Sequence, residues 1–310
     1  MGVTINAGLP HLLFLKQKYP DFCAGSLLTL GRQDVYFTFE QLSATARAYN
    51  IDLESIEPKL ITNIWTGKQA IDDASLFEAL GFSSIDVLDF VDNERADYVH
   101  DLNMPIPTNL TEKWDVIYDA GTLEHVFDIR RAFENIHNML KVDGIAIHEL
   151  PTNGFVDHGF WQLSPTALLD CYHNNEYDIL ESWVWVIDEP GNIHVDTPKR
   201  YIYEPHKFAQ LSIGKFPKGI SGVTFAARKT KSAGFKTPIQ GFYMSHWGLN
   251  NSKPPVSPIS LPGGMLNLEY IDPNPRPRLW LKPIAELFLT VGRALRWNAL
   301  SALGERLWKS

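Results

Sequence analysis

The sequence has 310 residues, 45% of them hydrophobic, and a formal net charge of −8. This length and composition allow one large globular domain or two small ones, and the negative charge argues against a protein that mainly coats nucleic acid. Cys23 and Cys171 lie far apart in sequence, so we expect no disulfide framework and a reducing, cytoplasmic compartment. The N-terminal residues lack the pattern of a signal peptide, and no apolar run is long enough to predict a membrane-spanning helix.

Strand patterns alternate with helix patterns through the first 175 residues. The predicted strands cover residues 26–31, 84–90, 98–101, 114–119, 145–150, 177–187 and 222–228. Thr38 and Gln41 form a predicted capping box, residues 128–141 carry apolar side chains on one helical face, and Ser164-Pro165 begins a further helix. Residues 51–72 show no regular pattern and are interpreted as an insertion. The alternation predicts a doubly wound, Rossmann-like α/β sheet of seven mostly parallel strands, the last two joined without a helix.

The C-terminal part of the sequence differs in composition. We predict a domain over residues 1–235 and a Pro- and Gly-rich extension over 236–310, which ends in an amphipathic helix over 284–308. From Arg276 onward, Lys and Arg outnumber Asp and Glu by seven to two. This cationic, tryptophan-containing helix is expected to lie on an anionic membrane surface, at the inner membrane face, or on a partner subunit. Packing on its own domain is the alternative.

Three candidate ligand-binding residues follow the first three strands, where open parallel sheets bind ligands. Gly31 allows a ligand to approach the backbone closely; the alternative is an ordinary strand-ending glycine. Asp89 is placed to accept hydrogen bonds from ribose hydroxyls, and Asp101 is placed to accept one from an exocyclic amine of a purine. The alternatives are a turn cap for Asp89 and an Asx turn before prolines for Asp101. The segment GRQDVY lacks the G-x-G-x-x-G pattern, so no conventional nicotinamide or flavin dinucleotide site is predicted.

Two candidate histidines lie in the loops after the fourth and fifth strands. Glu124 and His125 are either an acid–base pair or first-turn residues of a short helix. His158 lies in DHGFW, where two aromatic residues suit either a wall against a small molecule or a cap on the core. We rank His158 first and His125 second as general base. No tight metal-ligand spacing occurs, so no metal site is predicted; a metal-assisted reaction is the alternative, because His, Asp and Glu are plentiful.

Residues 22–230 together resemble the class I S-adenosylmethionine-dependent methyltransferases. The segment GTLEHVFD, a helix and LKVDG resemble the family's loop after strand four and its turn into strand five. DVLDF resembles the strand with the ribose-binding acid, Asp89, and HDLNMPIP resembles the adenine-contacting segment, with Asp101 and Leu102. The first strand departs from the family, because LTLGRQDVYFT keeps one glycine of a G-x-G-x-G loop. Arg32 or Gln33 is then expected to contact the methionyl carboxylate.

The resemblance implies S-adenosylmethionine as the cofactor and a small-molecule or glycan acceptor, as in methyltransferase-like proteins of bacterial glycan or natural-product assembly. The cofactor-binding residues that it implies are Gly31, Arg32, Gln33, Asp89, Asp101, Leu102, Asp119, Gly121 and Glu124. Methylation of an acceptor oxygen with His158 or His125 as general base is the first hypothesis. The second is a non-catalytic scaffold or binding protein in an assembly pathway, which the degenerate first loop favours.

Overall fold

The computed structural model describes residues 2–92, 95–191, 193–194, 196–203 and 219–241. The predicted helix over 284–308 and most of the extension over 236–310 lie outside the described residues, so both stay predictions. Within the described ranges, no helix is long and apolar enough to cross a membrane.

The described residues form twelve strands, and eight of them make up the central sheet. In chain order the strands are β1 (Gly2–Val3), β2 (Ser26–Leu30), β3 (Asp34–Val35), β4 (Leu60–Thr62), β5 (Gln69–Ile71), β6 (Ser84–Asp89), β7 (Tyr98–Val99), β8 (Trp114–Asp119), β9 (Leu140–Asn153), β10 (Tyr177–Ile187), β11 (Lys199–Ile202) and β12 (Ile220–Lys229). The spatial order is β7-β6-β2-β8-β9-β12-β10-β11. The first five of these strands are parallel, whereas β12 runs antiparallel between β9 and β10, and β11 runs antiparallel to β10. This confirms the doubly wound, mostly parallel architecture that the alternation of strands and helices predicts, with β11 as one strand beyond the seven predicted.

The described helices are α1 (Gly8–Lys18), α2 (Phe39–Ala48), α3 (Asp73–Ala79), α4 (Ile129–Met139) and α5 (Pro165–Asn174). Four of these five helices begin at a side chain that caps them, whereas α1 begins after Ala7 without one. Thr38 and Gln41 form both hydrogen bonds of the predicted capping box, and Ser164 caps α5 ahead of Pro165, as predicted. Asp128, predicted as the first residue of its helix, instead caps α4.

Apolar side chains of the central strands alternate between two core layers. On β8, Val116 and Tyr118 pack with α1, α2 and α3, whereas Ile117 packs with α4 and α5. On β2, Leu27 and Leu28 divide in the same way. Both faces of the parallel part of the sheet are therefore covered, and polar groups concentrate at the strand ends.

Three local features differ from the sequence predictions. Helix α1 was not predicted, because all residues from Gly8 to Leu15 are buried and the helix lacks the polar face that marks a surface helix. Strands β4 and β5 form an antiparallel hairpin within residues 51–72, which were interpreted as irregular. Strand β9 is continuous from Leu140, although Gly144 predicted a turn there; Asp143, with φ of 65°, absorbs the local irregularity.

Candidate active site

The loops after β2, β6 and β8 converge on Gly31. Its φ is +73°, in the left-handed region that favours glycine. A Cβ at residue 31 would lie 3.4 Å from Thr122 Oγ1 and 3.7 Å from Asp89 Oδ2. The hydroxyl of Thr122 donates to the carbonyl of Leu30 at 2.5 Å, which fixes the loop. The fold thus brings together two predicted site residues, Gly31 and Asp89, with Thr122, which the sequence did not single out.

Asp89 uses one carboxylate oxygen for its own turn and leaves the other toward Gly31. Oδ1 accepts hydrogen bonds from the backbone N–H groups of Phe90 at 2.6 Å and Val91 at 3.5 Å. Among the described residues, Oδ2 accepts none. The structure therefore shows the turn cap, one of the two alternatives weighed for this residue, and the ligand contact stays a prediction.

Arg32 and Gln33 hold the loop after β2. The guanidinium of Arg32 lies 3.3 Å from Asp73 Oδ1. Gln33 Nε2 donates to the carbonyls of Leu30 and Gly31, both at 3.0 Å. Because these two bonds fix which amide atom is nitrogen, the buried Gln33 Oε1 is an acceptor with no partner in the described part of the chain.

Asp101 lies in an Asx turn at the carboxyl end of β7. Its Oδ1 accepts from the backbone N–H of Asn103 at 2.9 Å and from Asn103 Nδ2 at 2.8 Å, and these hydrogen bonds lower the pKa of the Asp101 carboxyl. Leu102 is buried, and its carbonyl accepts from Asn135 Nδ2 at 3.0 Å. The loop is thus ordered by α4, with Asp101 at its partly exposed edge.

Asp119, predicted as a cofactor-binding residue, is fully buried. Its Oδ1 accepts from the backbone N–H groups of Thr122 at 2.9 Å and Leu123 at 3.3 Å. Its Oδ2 lies 2.8 Å from His148 Nδ1, and His148 Nε2 lies 2.6 Å from the hydroxyl of Tyr172. With no exposed surface, the carboxylate orders the loop around Gly121, whose φ of +99° allows the tight turn.

Glu124, His125 and His158 form a second cluster at the same sheet edge. Glu124 Oε1 lies 3.5 Å from His158 Nε2 and 3.9 Å from His125 Nε2. Burial raises the pKa of Glu124 to about 8, and the nearby Asp119 charge adds to this shift. Burial also lowers the pKa of both imidazoles. The fold places the two histidines predicted as bases on one carboxylate.

Backbone contacts lock the two loops that carry this cluster. The carbonyl of Glu124 accepts from the backbone N–H groups of Phe160 at 2.8 Å and Trp161 at 3.1 Å. A Cβ at Gly159 would lie 2.8 Å from that same carbonyl oxygen, so the approach requires glycine. Trp161 Nε1 donates to the carbonyl of Val126 at 3.0 Å. His158 is therefore held beside Glu124 although 33 residues separate them.

Exposed aromatic rings flank the cluster. Phe127 and Phe160 are 67% and 64% exposed and pack edge to face with ring centroids 5.4 Å apart. Trp161 lies beside Phe127, with centroids 6.2 Å apart. From the sequence, Phe160 and Trp161 are predicted to form an aromatic wall or a cap on the core. In the structure Phe127 packs beside both. Exposed rings in contact suit a wall that a ligand covers.

A pocket on the other side of His158 was not predicted. Phe155 forms the boundary, because its ring centroid lies 5.7 Å from that of His158 and 6.2 Å from that of Trp185. The lining includes Thr4, Glu149, Phe155, Trp185, Ile187 and Ile193. Since the N-terminal segment and the ends of β9 and β10 all contribute, no single stretch of sequence indicates this pocket.

No protein-family model matches the sequence, and no curated protein matches it at a significant level. Among solved structures, the chain is similar to 1,6-didemethyltoxoflavin-N1-methyltransferase of Burkholderia thailandensis, with 12% identity, coverage of 73% of this chain and 80% of that chain, and a TM-score of 0.40. It is also similar to an S-adenosylmethionine dependent methyltransferase of Mesorhizobium loti, with 12% identity, coverage of 73% and 100%, and a TM-score of 0.34. A third is the putative methyltransferase complexed with the Trm112 activator of Haloferax volcanii, with 11% identity, coverage of 74% and 90%, and a TM-score of 0.38. Similarity at this level does not extend to function, which depends on the side chains at the sheet edge.

Proposed function

We propose that this protein is a methyltransferase that binds S-adenosylmethionine at the carboxyl ends of β2 and β6 and methylates a hydroxyl group of a small-molecule or glycan acceptor. The observation that carries the proposal is the convergence of Gly31 and Asp89. A carboxylate at this position of a doubly wound sheet accepts hydrogen bonds from ribose hydroxyls, and Asp89 Oδ2 is open to them. The absence of a side chain at residue 31 lets a nucleoside approach the backbone.

The loop after β2 fits the amino-acid end of such a cofactor through Gln33 rather than Arg32. The buried Gln33 Oε1 is an unpaired acceptor among the described residues, which suits the ammonium group of a methionyl moiety. The Arg32 guanidinium is already paired with Asp73. We therefore infer that Gln33 binds the ammonium, in place of the predicted contact with the carboxylate.

The acceptor site is proposed at the pocket that Phe155 and Trp185 border. When bound, the cofactor supplies a methyl group already activated on a sulfonium, so the protein has to align the acceptor and exclude water. The exposed rings of Phe127 and Phe160 lie at the cluster and supply an apolar cover. His158 contacts Phe155 from the cluster side, which places an imidazole between the two regions.

We assign removal of the acceptor proton to His158. Its side chain is one-third exposed, while Nε2 itself is buried beside Glu124. Burial lowers the pKa of this imidazole, so the ring is neutral near pH 7 and able to accept a proton. His125, which lies 3.9 Å from the same carboxylate oxygen, is the second candidate.

Titration of the full chain with S-adenosylhomocysteine tests the cofactor assignment. We expect one site per chain with a dissociation constant of about micromolar order, measured by calorimetry. Transfer of a labelled methyl group to a panel of phenols, alcohols and sugars then tests catalysis. Absence of heat at millimolar ligand would overturn the proposal in favour of a non-catalytic scaffold.

Replacing His158 with glutamine is expected to lower turnover by about 100-fold, because a positioned general base contributes about 10²–10⁴-fold. The measurement is formation of S-adenosylhomocysteine at saturating cofactor, with the panel acceptor that supports turnover. Affinity for S-adenosylhomocysteine should stay within about twofold of the original protein. His173→Gln, on α5, is the matched control and should retain full turnover. Full activity of His158→Gln would remove this histidine from the mechanism.

A further inference from the structure

The cluster of Glu124, His125 and His158 has the composition of a metal site. Each residue offers one ligand atom, and the three atoms lie within 4.8 Å of one another. Two loops supply them, one after β8 and the other after β9. The sequence predicted no metal site, because the third ligand lies 33 residues beyond His125 and no spacing pattern links them.

Glu124 supplies an independent observation that a ligand is needed. Its side chain is fully buried, and in the described part of the chain neither carboxylate oxygen has a hydrogen-bond partner. No Lys or Arg side chain among these residues pairs with it; both of its ion-pair contacts are with histidines. A buried carboxylate without donors is costly, so buried carboxylates are hydrogen-bonded, protonated or bound to a cation.

A shared proton satisfies this carboxylate less well than a cation does. Hydrogen bonds between nitrogen and oxygen have separations of about 2.7–3.2 Å, whereas the two contacts measure 3.5 and 3.9 Å. Bonds of about 2.1 Å to a tetrahedral zinc ion place neighbouring ligand atoms roughly 3.4 Å apart. The Glu124–His158 separation of 3.5 Å is close to this value, the Glu124–His125 separation of 3.9 Å is somewhat longer, and all three atoms lie within 4.8 Å of one another.

We propose that Glu124, His125 and His158 bind one divalent transition-metal cation of the zinc class, through Glu124 Oε1 and the Nε2 atoms of the two histidines. One carboxylate and two imidazoles are a ligand set of zinc sites that keep an open position. Magnesium prefers oxygen ligands in octahedral geometry, which two imidazoles do not provide. The partial exposure of both histidine side chains, 46% and 33%, leaves a path for the ion.

The open position has a consequence that rests on the proposed methyltransferase function. A divalent cation lowers the pKa of a hydroxyl group bound to it. In the metal-loaded protein the cation would activate the acceptor hydroxyl, whose proton would pass to solvent water as the oxygen takes up the methyl group, and His158 would serve as a ligand instead of a proton acceptor. Metal binding itself does not depend on this step.

The test is metal binding by the full, tag-free chain after treatment with a chelator and dialysis. Calorimetric titration with zinc chloride should show one site with a dissociation constant of about micromolar or tighter, and magnesium chloride should give at least about 100-fold weaker binding. Zinc should also raise the melting temperature. Glu124→Gln, His125→Gln and His158→Gln should each weaken zinc binding at least about tenfold, while His173→Gln should not change it.

Two results would overturn the proposal. One is absence of zinc binding by the unsubstituted chain. The other is equal zinc affinity in all three ligand variants and the His173→Gln control, which would place the ion elsewhere. His125→Gln keeps the test valid if a substitution at the buried Glu124 prevents folding. Because S-adenosylhomocysteine is absent from these titrations, failure of the metal site and failure of the cofactor site are separate results.

Discussion

Replacing Asp89 with alanine is expected to weaken binding of S-adenosylhomocysteine by about 10- to 100-fold. The reason is that Asp89 Oδ2 is the open acceptor at the carboxyl end of β6, beside Gly31. Hydrogen bonds to a charged group contribute about 1.5–3 kcal/mol each, and a factor of ten in affinity corresponds to about 1.4 kcal/mol. Calorimetric titration of both proteins measures the difference directly.

Two further variants separate the ligand contact from the turn that Asp89 also caps. Asp89→Asn keeps a side-chain oxygen that can accept from Phe90 N–H, so its fold should be preserved while its affinity falls. Asp92→Asn removes an exposed carboxylate in the same loop and should bind as the original protein does. Equal affinity of Asp89→Ala and Asp92→Asn would place the ribose elsewhere.

The sequence predicted those strands and helices whose residues carry a recognisable local pattern. Strand β8 matches its predicted bounds of 114–119, and α2 begins at its predicted capping box. These signals are local, since a buried strand is an apolar run and a cap is a pair of residues three apart. Helix α1 escaped prediction because burial of all its residues from Gly8 to Leu15 removes the amphipathic pattern. The β4–β5 hairpin escaped because neither three-residue strand is long enough to show a period.

The sequence was enough to predict which edge of the sheet carries the candidate site residues, but it did not predict what their side chains contact. Residues that end parallel strands, such as Gly31 and Asp89, meet because the topology requires it. The roles of Asp119 and Glu124 depend instead on burial, which the sequence does not display. Asp119 contacts loop N–H groups and His148, whereas Glu124 faces two histidines. Strand-end position therefore identifies candidates, whereas tertiary packing decides which carboxylates contact a ligand.

Glu149 gives the second prediction, which concerns stability. It lies on β9, lines the proposed acceptor pocket and is 7% exposed. Tyr118 donates a hydrogen bond to its Oε1 at 3.1 Å, and His11 Nδ1 lies 3.9 Å from the same atom. Burial raises the pKa of Glu149 from 4.5 to about 8, with Asp119 acting in the same direction and Tyr118 and Arg200 opposing it. The side chain is therefore neutral at pH 7, which suits an apolar pocket.

The free energy of unfolding should accordingly fall as pH rises through the range from 4.5 to 8. Below pH 4.5 Glu149 is protonated in both states, and above about pH 8 it is ionised in both. Between these values the unfolded chain releases a proton that the folded chain retains, which costs about 1.4 kcal/mol per pH unit and about 3 kcal/mol by pH 7. Glu149→Gln has no proton to lose and keeps an oxygen for the Tyr118 hydroxyl. Its stability relative to the original protein should therefore increase steadily between pH 5 and pH 8.

Urea denaturation of both proteins at pH 5, 6.5 and 8 measures this difference, because the contribution of every other titrating group is common to the two and cancels. Glu78→Gln, which alters an exposed glutamate on α3, is the matched control and should follow the original protein at all three pH values. Parallel profiles for Glu149→Gln and the original protein would mean that Glu149 is ionised in the folded chain at neutral pH. The pocket beside His158 would then present a negative charge to its ligand and would favour a cationic acceptor over the neutral hydroxyl compound proposed above.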